Sequence, residues 1–331
     1  MILSNNLENL FRPLRDQLQS KSEPLSLRGY SWADLILPPY ERLNIPFQLI
    51  VYGSNDDLLA YLSKKIQRKK ELGTTSGASE KATRQKKGNE DEVSTNDYAR
   101  ARGLLFHECV VNTLTQARKS IYRAKQVKSL DIVRSLNKNR GALLKKRSKI
   151  FAKYGLSKTD RKRLTVLSER VVSFETLLVC AHVNYWISRS PAMSLDSLLS
   201  SAVPMLLEHN ISFPEMGFSG DMTPDFVYPQ FSAIGELKTG EPSLSHRIAV
   251  TGYALAYEKQ HNLDVDFGVL LYLDVQDFKA PLYKIDAFII SDVYRRLFVE
   301  HRNDKFVFAK KEIEKLQKNG ITSAGSNKAN S

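Results

Sequence analysis

Residues 224–240 read PDFVYPQFSAIGELKTG. Two short apolar runs flank a Pro229-Gln230 turn, so the segment reads as a strand, a tight hairpin and a second strand. Period-two alternation in AIGELKTG puts Glu236 and Lys238 on one face while Leu237 points to the other. Asp225 opens the preceding strand, and a tight hairpin would bring its carboxylate beside Glu236. Two close carboxylates repel unless a cation neutralises them, and an oxygen-ligated Mg²⁺ or Mn²⁺ does so. A neighbouring Lys can orient a metal-bound water or help deprotonate it, and the ion stabilises charge building on a phosphate. In outline this is a phosphodiester-hydrolysis site. The plain alternative is a solvated charge cluster on an exposed hairpin.

Working outward, FSGDMTPDFVY, FSAIGELKT, DFGVLLYLD and APLYKID read as short strands, and SHRIAVTGYALAYEKQ as a helix between the second and third. Strand, hairpin, strand, helix, strand is an α/β core, with flanking helices supplied by the first half of the chain. Residues 1–19 carry helical spacing. Pro38, Pro39 and Pro46 then punctuate the chain before IPFQLIVYGSNDDLLAYLSKKI, which reads as a short extended piece, a Gly-Ser-Asn turn and a helix capped by Ser54 or Asn55. Residues 73–97 hold almost no apolar side chains and read as a disordered linker, as does the tail over 313–331. The divisions expected are a helical, Pro-rich segment at 1–72, that linker, a helical basic region at 98–190, a core at 191–312 and the tail.

The chain has 331 residues and a formal net charge of +13, which suits a polyanionic partner, with nucleic acid the commonest. The charge is concentrated. Between Arg118 and Arg163 there are 17 Lys or Arg against Asp131 and Asp160, a local excess of +15. Within this region Arg118, Lys119, Arg123, Lys145, Lys146, Arg147, Arg161, Lys162 and Arg163 are the expected DNA contacts, with Arg247 added from the later helix. The other reading is a solvated face on helices packed elsewhere. Cys109 and Cys180 are the only cysteines, too few for a disulfide framework or a zinc site. The N-terminus lacks a long apolar run, and FGVLLYL is far too short to span a bilayer, so a cytoplasmic protein with no membrane partner is expected.

Two further stretches carry chemistry. GLLFHE places Gly103 four residues before His107 on a helix, and an imidazole tolerates Mn²⁺ better than Mg²⁺. HRIAVTGYALAYE carries Tyr253 just after the Glu-x-Lys strand, with His246 and Arg247 one to two turns earlier. Singly each is weak. Their order, G-x-x-x-H, then GFSGDMTPD, then GELKTG, then GYALAYE, resembles the RecB-like branch of the PD-(D/E)xK nucleases. More narrowly it is similar to the CRISPR-associated nucleases of the Cas four group, in the archaeal type I-A form called Csa one. LRGYSWADLILPPYERLNIPFQLIVYG and HRIAVTGYALAYEKQHNLDVDFGVLLYLD extend the resemblance, which covers about 27–63, 98–115 and 215–275.

The resemblance implies a restriction-endonuclease-like, mixed-sheet α/β core beside a helical N-terminal half. It implies a metal-dependent DNA exonuclease that trims single-stranded ends of prespacers for CRISPR spacer acquisition, together with the integrase proteins. His107, Asp225, Glu236 and the Leu237 carbonyl would hold Mn²⁺ or Mg²⁺, Lys238 would be the catalytic lysine, and Tyr253 would stand near the DNA strand. Two departures are visible. The family's Q-x-x-x-Y glutamine falls at Ala249. Its iron–sulfur cysteines are missing, the N-terminal one falling near Gly53, and two cysteines cannot hold a cubane cluster that needs about four thiolates. No cluster is expected, and the pinning of the two chain ends would fall to packing or go unfilled. A DNA-binding subunit that has lost activity, or another PD-(D/E)xK enzyme such as a junction resolvase or restriction endonuclease, are the alternatives.

Overall fold

Strand β5, Ala233–Lys238, is the centre of a five-stranded mixed sheet in the computed structural model, which describes residues 5–20, 35–74, 95–124, 127–275 and 281–325. On one side of β5 lies β4, Phe226–Tyr228, antiparallel to it, and beyond that the two-residue β2, Leu206–Leu207. On the other side β6, Phe267–Asp274, runs parallel to β5, and β7, Leu282–Ile289, closes that edge antiparallel. The β5-to-β6 connection is helical, as a parallel pair requires. That helix is α8, Leu244–His261. A separate parallel pair joins β1, Ile45–Pro46, to β3, Phe218–Ser219.

Two helical layers cover the sheet because its side chains alternate. Phe226, Tyr228, Ala233, Val269, Leu271 and Tyr283 face a core shared with α1 (Asn5–Ser20), α4 (Thr95–Arg123), α5 (Ser129–Lys153), α6 (Lys158–Arg189) and α7 (Leu195–Ala202). Val227, Ile234, Leu270, Tyr272 and Phe288 face the opposite core with α2 (Phe47–Tyr52), α3 (Asn55–Thr74), α8 and α9 (Asp292–Gly325). The fold is therefore α/β with a mixed sheet, and the first half of the chain is helical, as its sequence implied. Gly235 makes the strand packing possible: a Cβ there would come within 2.1 Å of the Val269 carbonyl oxygen and 2.3 Å of the Phe226 ring.

The turn between β4 and β5 is a short 3-10 helix, Pro229–Phe231, ended by Ser232 in the left-handed region at φ 49°. FQLIVY is helical rather than extended. Pro46 sits at its N-cap, and Phe47, Ile50 and Val51 recur at helical spacing to bury one stripe. Ser54 caps α3 as expected, its hydroxyl accepting from the Asp57 amide at 3.1 Å while its own amide donates to the Asp57 carboxylate. Helix α9 continues to Gly325, well into the stretch expected to be a tail. The expected linker is helical at its ends, up to Thr74 and again from Thr95; 75–94, the RGYSW stretch at 28–32 and 326–331 lie outside the described residues. No helix among the described residues is long and apolar enough to cross a membrane.

A buried ion pair fixes α8 against α9. Arg295 donates to both Glu258 carboxylate oxygens, at 2.7 and 2.8 Å, and Glu258 also accepts from the Val265 amide at 3.0 Å. Removing either partner would strand the other charge in the core, at a cost of about 3–5 kcal/mol. A second buried carboxyl, Glu175 on α6, accepts a hydrogen bond from the Tyr283 hydroxyl of β7, and its Oε2 has no partner. Burial, only partly offset by Tyr283, pushes its pKa up to about 7 from 4.5. Between those values the folded chain holds a proton that the unfolded chain has released, so stability falls as pH rises through that window. Glu175→Gln removes this dependence. In chemical denaturation it should be more stable than wild type at about pH 8, by up to roughly 3 kcal/mol, and equal to it at about pH 4.

Candidate active site

The ladder between β4 and β5 stops at the Phe226–Gly235 pair, and a side chain takes over from the backbone at that point. Asp225, just before β4, accepts the Leu237 amide on Oδ2 at 2.6 Å. Its other oxygen meets Nε2 of His107 on α4 at 2.8 Å. A carboxylate can only accept, so that imidazole nitrogen carries the proton. Burial works to lower the His107 pKa, but the hydrogen bond and charge of Asp225 outweigh it and the net direction is upward. Gly103, one turn before His107, lets α4 approach the end of β5: a Cβ there would lie 3.2 Å from the Thr239 hydroxyl.

Glu236 and Lys238 leave β5 on the α8 side. Lys238 Nζ lies 2.9 Å from Glu236 Oε1, and the Tyr52 hydroxyl of α2 donates to Glu236 Oε2 at 2.7 Å. The same ammonium sits 4.3 Å from the centre of the Tyr52 ring, so one aromatic side chain orients both charged groups. Burial raises the Glu236 pKa and the nearby Asp225 charge adds to it; Lys238 and Tyr52 pull the other way without prevailing. Tyr253, on α8, has its pKa raised by burial and then by the charges of Glu236 and Asp225, and its hydroxyl accepts from the Gln48 amide at 2.6 Å. Sequence reasoning missed Gln48 and Tyr52. Both lie on α2, four residues apart, and reading FQLIVY as a helix would have placed them on one face.

The donor types suit a divalent cation: an imidazole and two carboxylates that share one electrostatic neighbourhood. As they stand they hold protein partners. His107 and Asp225 hold each other, and Glu236 is turned onto Lys238 and Tyr52. Among the described residues no three His, Cys, Asp or Glu side chains converge closely enough to enclose an ion. The site is nonetheless reachable, with the His107 and Asp225 side chains 22% and 15% exposed and Lys238 19% exposed.

The expected DNA contacts divide into two sets. Lys119, Arg123, Lys145, Lys146, Arg161, Lys162 and Arg163 are exposed along α4, α5 and the start of α6. Exposure does not mean that they are unengaged: Lys146 pairs with Glu108, and Arg161 donates to the Leu156 carbonyl at 2.7 Å. Three others are less exposed and occupied within the fold. Arg118 donates to the Val203 and Met205 carbonyls at 2.7 and 2.8 Å, and Arg147 pairs with Glu169 at 3.6 Å. Arg247 forks onto Asp286 at 2.6 and 2.9 Å and also reaches Tyr294, so it braces α8 against β7. His246 meets the Tyr272 hydroxyl at 2.9 Å, and burial together with Lys238 brings its pKa down to about 4.

The sequence profile of the family described as CRISPR-associated exonuclease Csa1 matches residues 85–314. The chain belongs to this family. It is 29% identical over 150 residues to the CRISPR-associated exonuclease Csa1 of Saccharolobus solfataricus, covering 45% of this chain and 51% of that protein. It is 24% identical over 144 residues to the protein of the same description from Thermoproteus tenax, covering 43% and 49%. The aligned segments thus span about half the length of these curated relatives. All of His107, Asp225, Glu236, Lys238 and Tyr253 fall inside the Csa1 match, whereas Gln48 and Tyr52 precede it.

Helix α2 is held from behind by α9. His301 Nε2 meets the Ile50 carbonyl at 2.9 Å, and Lys305 donates to the Gly53 carbonyl at 2.9 Å and to Asn55 Oδ1 at 3.0 Å. Arg302, fully buried, donates to the Leu35 carbonyl at 2.7 Å. The last carbonyls of a helix have no partner within it, and a cation there also meets the negative end of the helix dipole. These contacts join the N-terminal segment to the C-terminal helix, the junction that the sequence reading left to packing or unfilled. Lys305→Met should cost about 1–2 kcal/mol and raise amide hydrogen exchange selectively over residues 47–52. Unchanged exchange there would mean that α2 is held by its apolar face alone.

Proposed function

We propose that this Csa1-family chain is a divalent-metal-dependent deoxyribonuclease built on a restriction-endonuclease-like, RecB-like PD-(D/E)xK core. The reading rests on one observation above others: a fixed Glu236–Lys238 pair stands beside the Asp225–His107 pair at the open end of β5. The family description and the names of the two relatives support exonucleolytic action. On this reading the substrate is DNA with single-stranded ends, and the task is trimming prespacers for CRISPR spacer acquisition in the cytoplasm, alongside the integrase proteins.

His107, Asp225, Glu236 and the Leu237 carbonyl would hold Mn²⁺ or Mg²⁺. When bound, the ion supplies Lewis acidity and stabilises negative charge on the phosphate. To serve as a ligand His107 would have to free Nε2 of the proton it now directs at Asp225, releasing it to solvent or carrying it on Nδ1 instead. Asp225 would then offer that oxygen to the cation while keeping the Leu237 amide, so the carboxylate needs no search for its position. Lys238 has three donors; one is directed at Glu236 and the ammonium is steadied over the Tyr52 ring. A remaining donor can orient the attacking water or a phosphate oxygen. Tyr253, fixed by Gln48, presents its hydroxyl at the same wall. The exposed cations of α4, α5 and α6 would supply the salt-dependent part of DNA affinity.

The test is a nuclease assay on end-labelled single-stranded and duplex DNA in Mn²⁺, Mg²⁺ and EDTA. Wild type should cut in either metal and not in chelator, and Glu236→Ala and Lys238→Ala should each lose on the order of 10²-fold or more. Wild type that binds DNA in every condition but never cuts would make the chain a DNA-binding subunit instead.

A further inference from the structure

Strand register carries Lys238 into a row across the sheet. Lys238 pairs with Tyr272 of β6, and Tyr272 pairs with Lys284 of β7. Residues directly opposite one another share a face, so these three side chains leave the sheet together. With strands spaced about 4.8 Å, Lys284 stands roughly 10 Å from Lys238 at the backbone. Tyr272 is held by His246, and Lys284 is exposed at the sheet's edge.

Beyond the ends of β5 and β6, Tyr272 and Lys284 of this row line a cavity of about 310 Å³, and Lys238 stands one strand away from it. Its walls include Arg102 and Phe106 of α4, the Thr239–Pro242 loop, Tyr272 and Lys284. Arg102 donates one Nη to the Thr239 carbonyl at 2.8 Å, which fixes the guanidinium in the wall. Its Nε is buried without a hydrogen-bond partner. That Nε has no accessible surface, so a phosphate in the cavity would meet the guanidinium through its Nη groups, one of which Thr239 fixes in place. Glu241 and Asp274 also line the cavity, so it is not a uniform anion trap with room for a run of phosphates.

We infer that this cavity is a phosphate subsite for the DNA strand, in which Arg102 and Lys284 hold one phosphodiester next to the one presented to Lys238. The inference rests on the nuclease reading and gives it a direction: the strand leaves the catalytic lysine across β6 toward β7. It also explains the placement of a cation on the edge strand, where no catalytic group stands. A guanidinium presents a planar fork that matches phosphate oxygens, while Lys284 adds a flexible point charge at the mouth.

The experiment is fluorescence anisotropy of a labelled single-stranded oligothymidylate in EDTA, over a range of NaCl concentrations. Full-length wild type would be compared with Lys284→Gln, Arg102→Lys and a control on α9, Lys311→Gln. Thermal melts would establish that each variant is folded. Lys284→Gln should weaken binding about three- to tenfold and reduce the slope of log affinity against log salt by about 0.7, the value for one phosphate on a single strand. Arg102→Lys keeps the charge but not the fork, and should weaken binding with little change in slope. Lys311→Gln should match wild type. If wild type binds and cuts DNA while the Lys284 and Arg102 variants bind with unchanged affinity and slope, the subsite is overturned and the nuclease reading stands. Wild type that neither binds nor cuts would overturn both.

Discussion

The site depends on one substitution in a hydrogen-bond ladder: just before β4 begins, the Asp225 carboxylate takes the Leu237 amide that a further strand residue would otherwise have served. A backbone donor at a sheet's edge cannot be left unpaired in a half-buried setting without cost. Meeting it with a carboxylate fixes a negative charge at the end of β5, within reach of the very next side chains. The Asp225 backbone is held as well, its carbonyl accepting the Glu208 amide of the segment after β2 at 3.1 Å. Charge, strand end and strand edge therefore coincide at one residue, and the remaining groups are arranged around it.

Those groups arrive from both layers. His107 comes from the α4 side and meets Asp225 directly. Glu236 and Lys238 leave on the α8 side, where α2 supplies Tyr52 and Gln48. Because β1 pairs with β3 and Phe47 packs on Phe218, Tyr253 and Phe298, α2 is positioned by the core and not by the charged groups it orients. The hydrogen bonds from α9 to the Ile50 and Gly53 carbonyls complete that support. An active site held to within a fraction of an ångström needs this kind of backing shell.

Much of this was legible in the sequence for a physical reason. Alternation along a strand fixes which side chains share a face, so Glu236 and Lys238 could be paired from AIGELKTG alone. The α/β order of elements followed from periodicity in the second half. Gln48 and Tyr52 were not legible, because their partners lie 205 and 184 residues away and FQLIVY is an apolar run that suits a strand or a helix equally. Nor could charge density separate Arg118 and Arg247, which serve the fold, from Lys145 or Lys162, which face solvent. That distinction is made by the Val203, Met205 and Asp286 oxygens that tertiary structure brings to them.

The most direct test of the account is calorimetric titration of Mn²⁺ into the full-length protein and into Asp225→Asn. The amide oxygen of Asn can still accept the Leu237 amide, so the fold at the end of β5 should be preserved while the charge is lost. Wild type should bind Mn²⁺ at one defined site, and the variant should bind it at least about tenfold more weakly. Equal affinity in the two proteins, or no Mn²⁺ binding by wild type, would contradict the claim that Asp225 anchors a metal site.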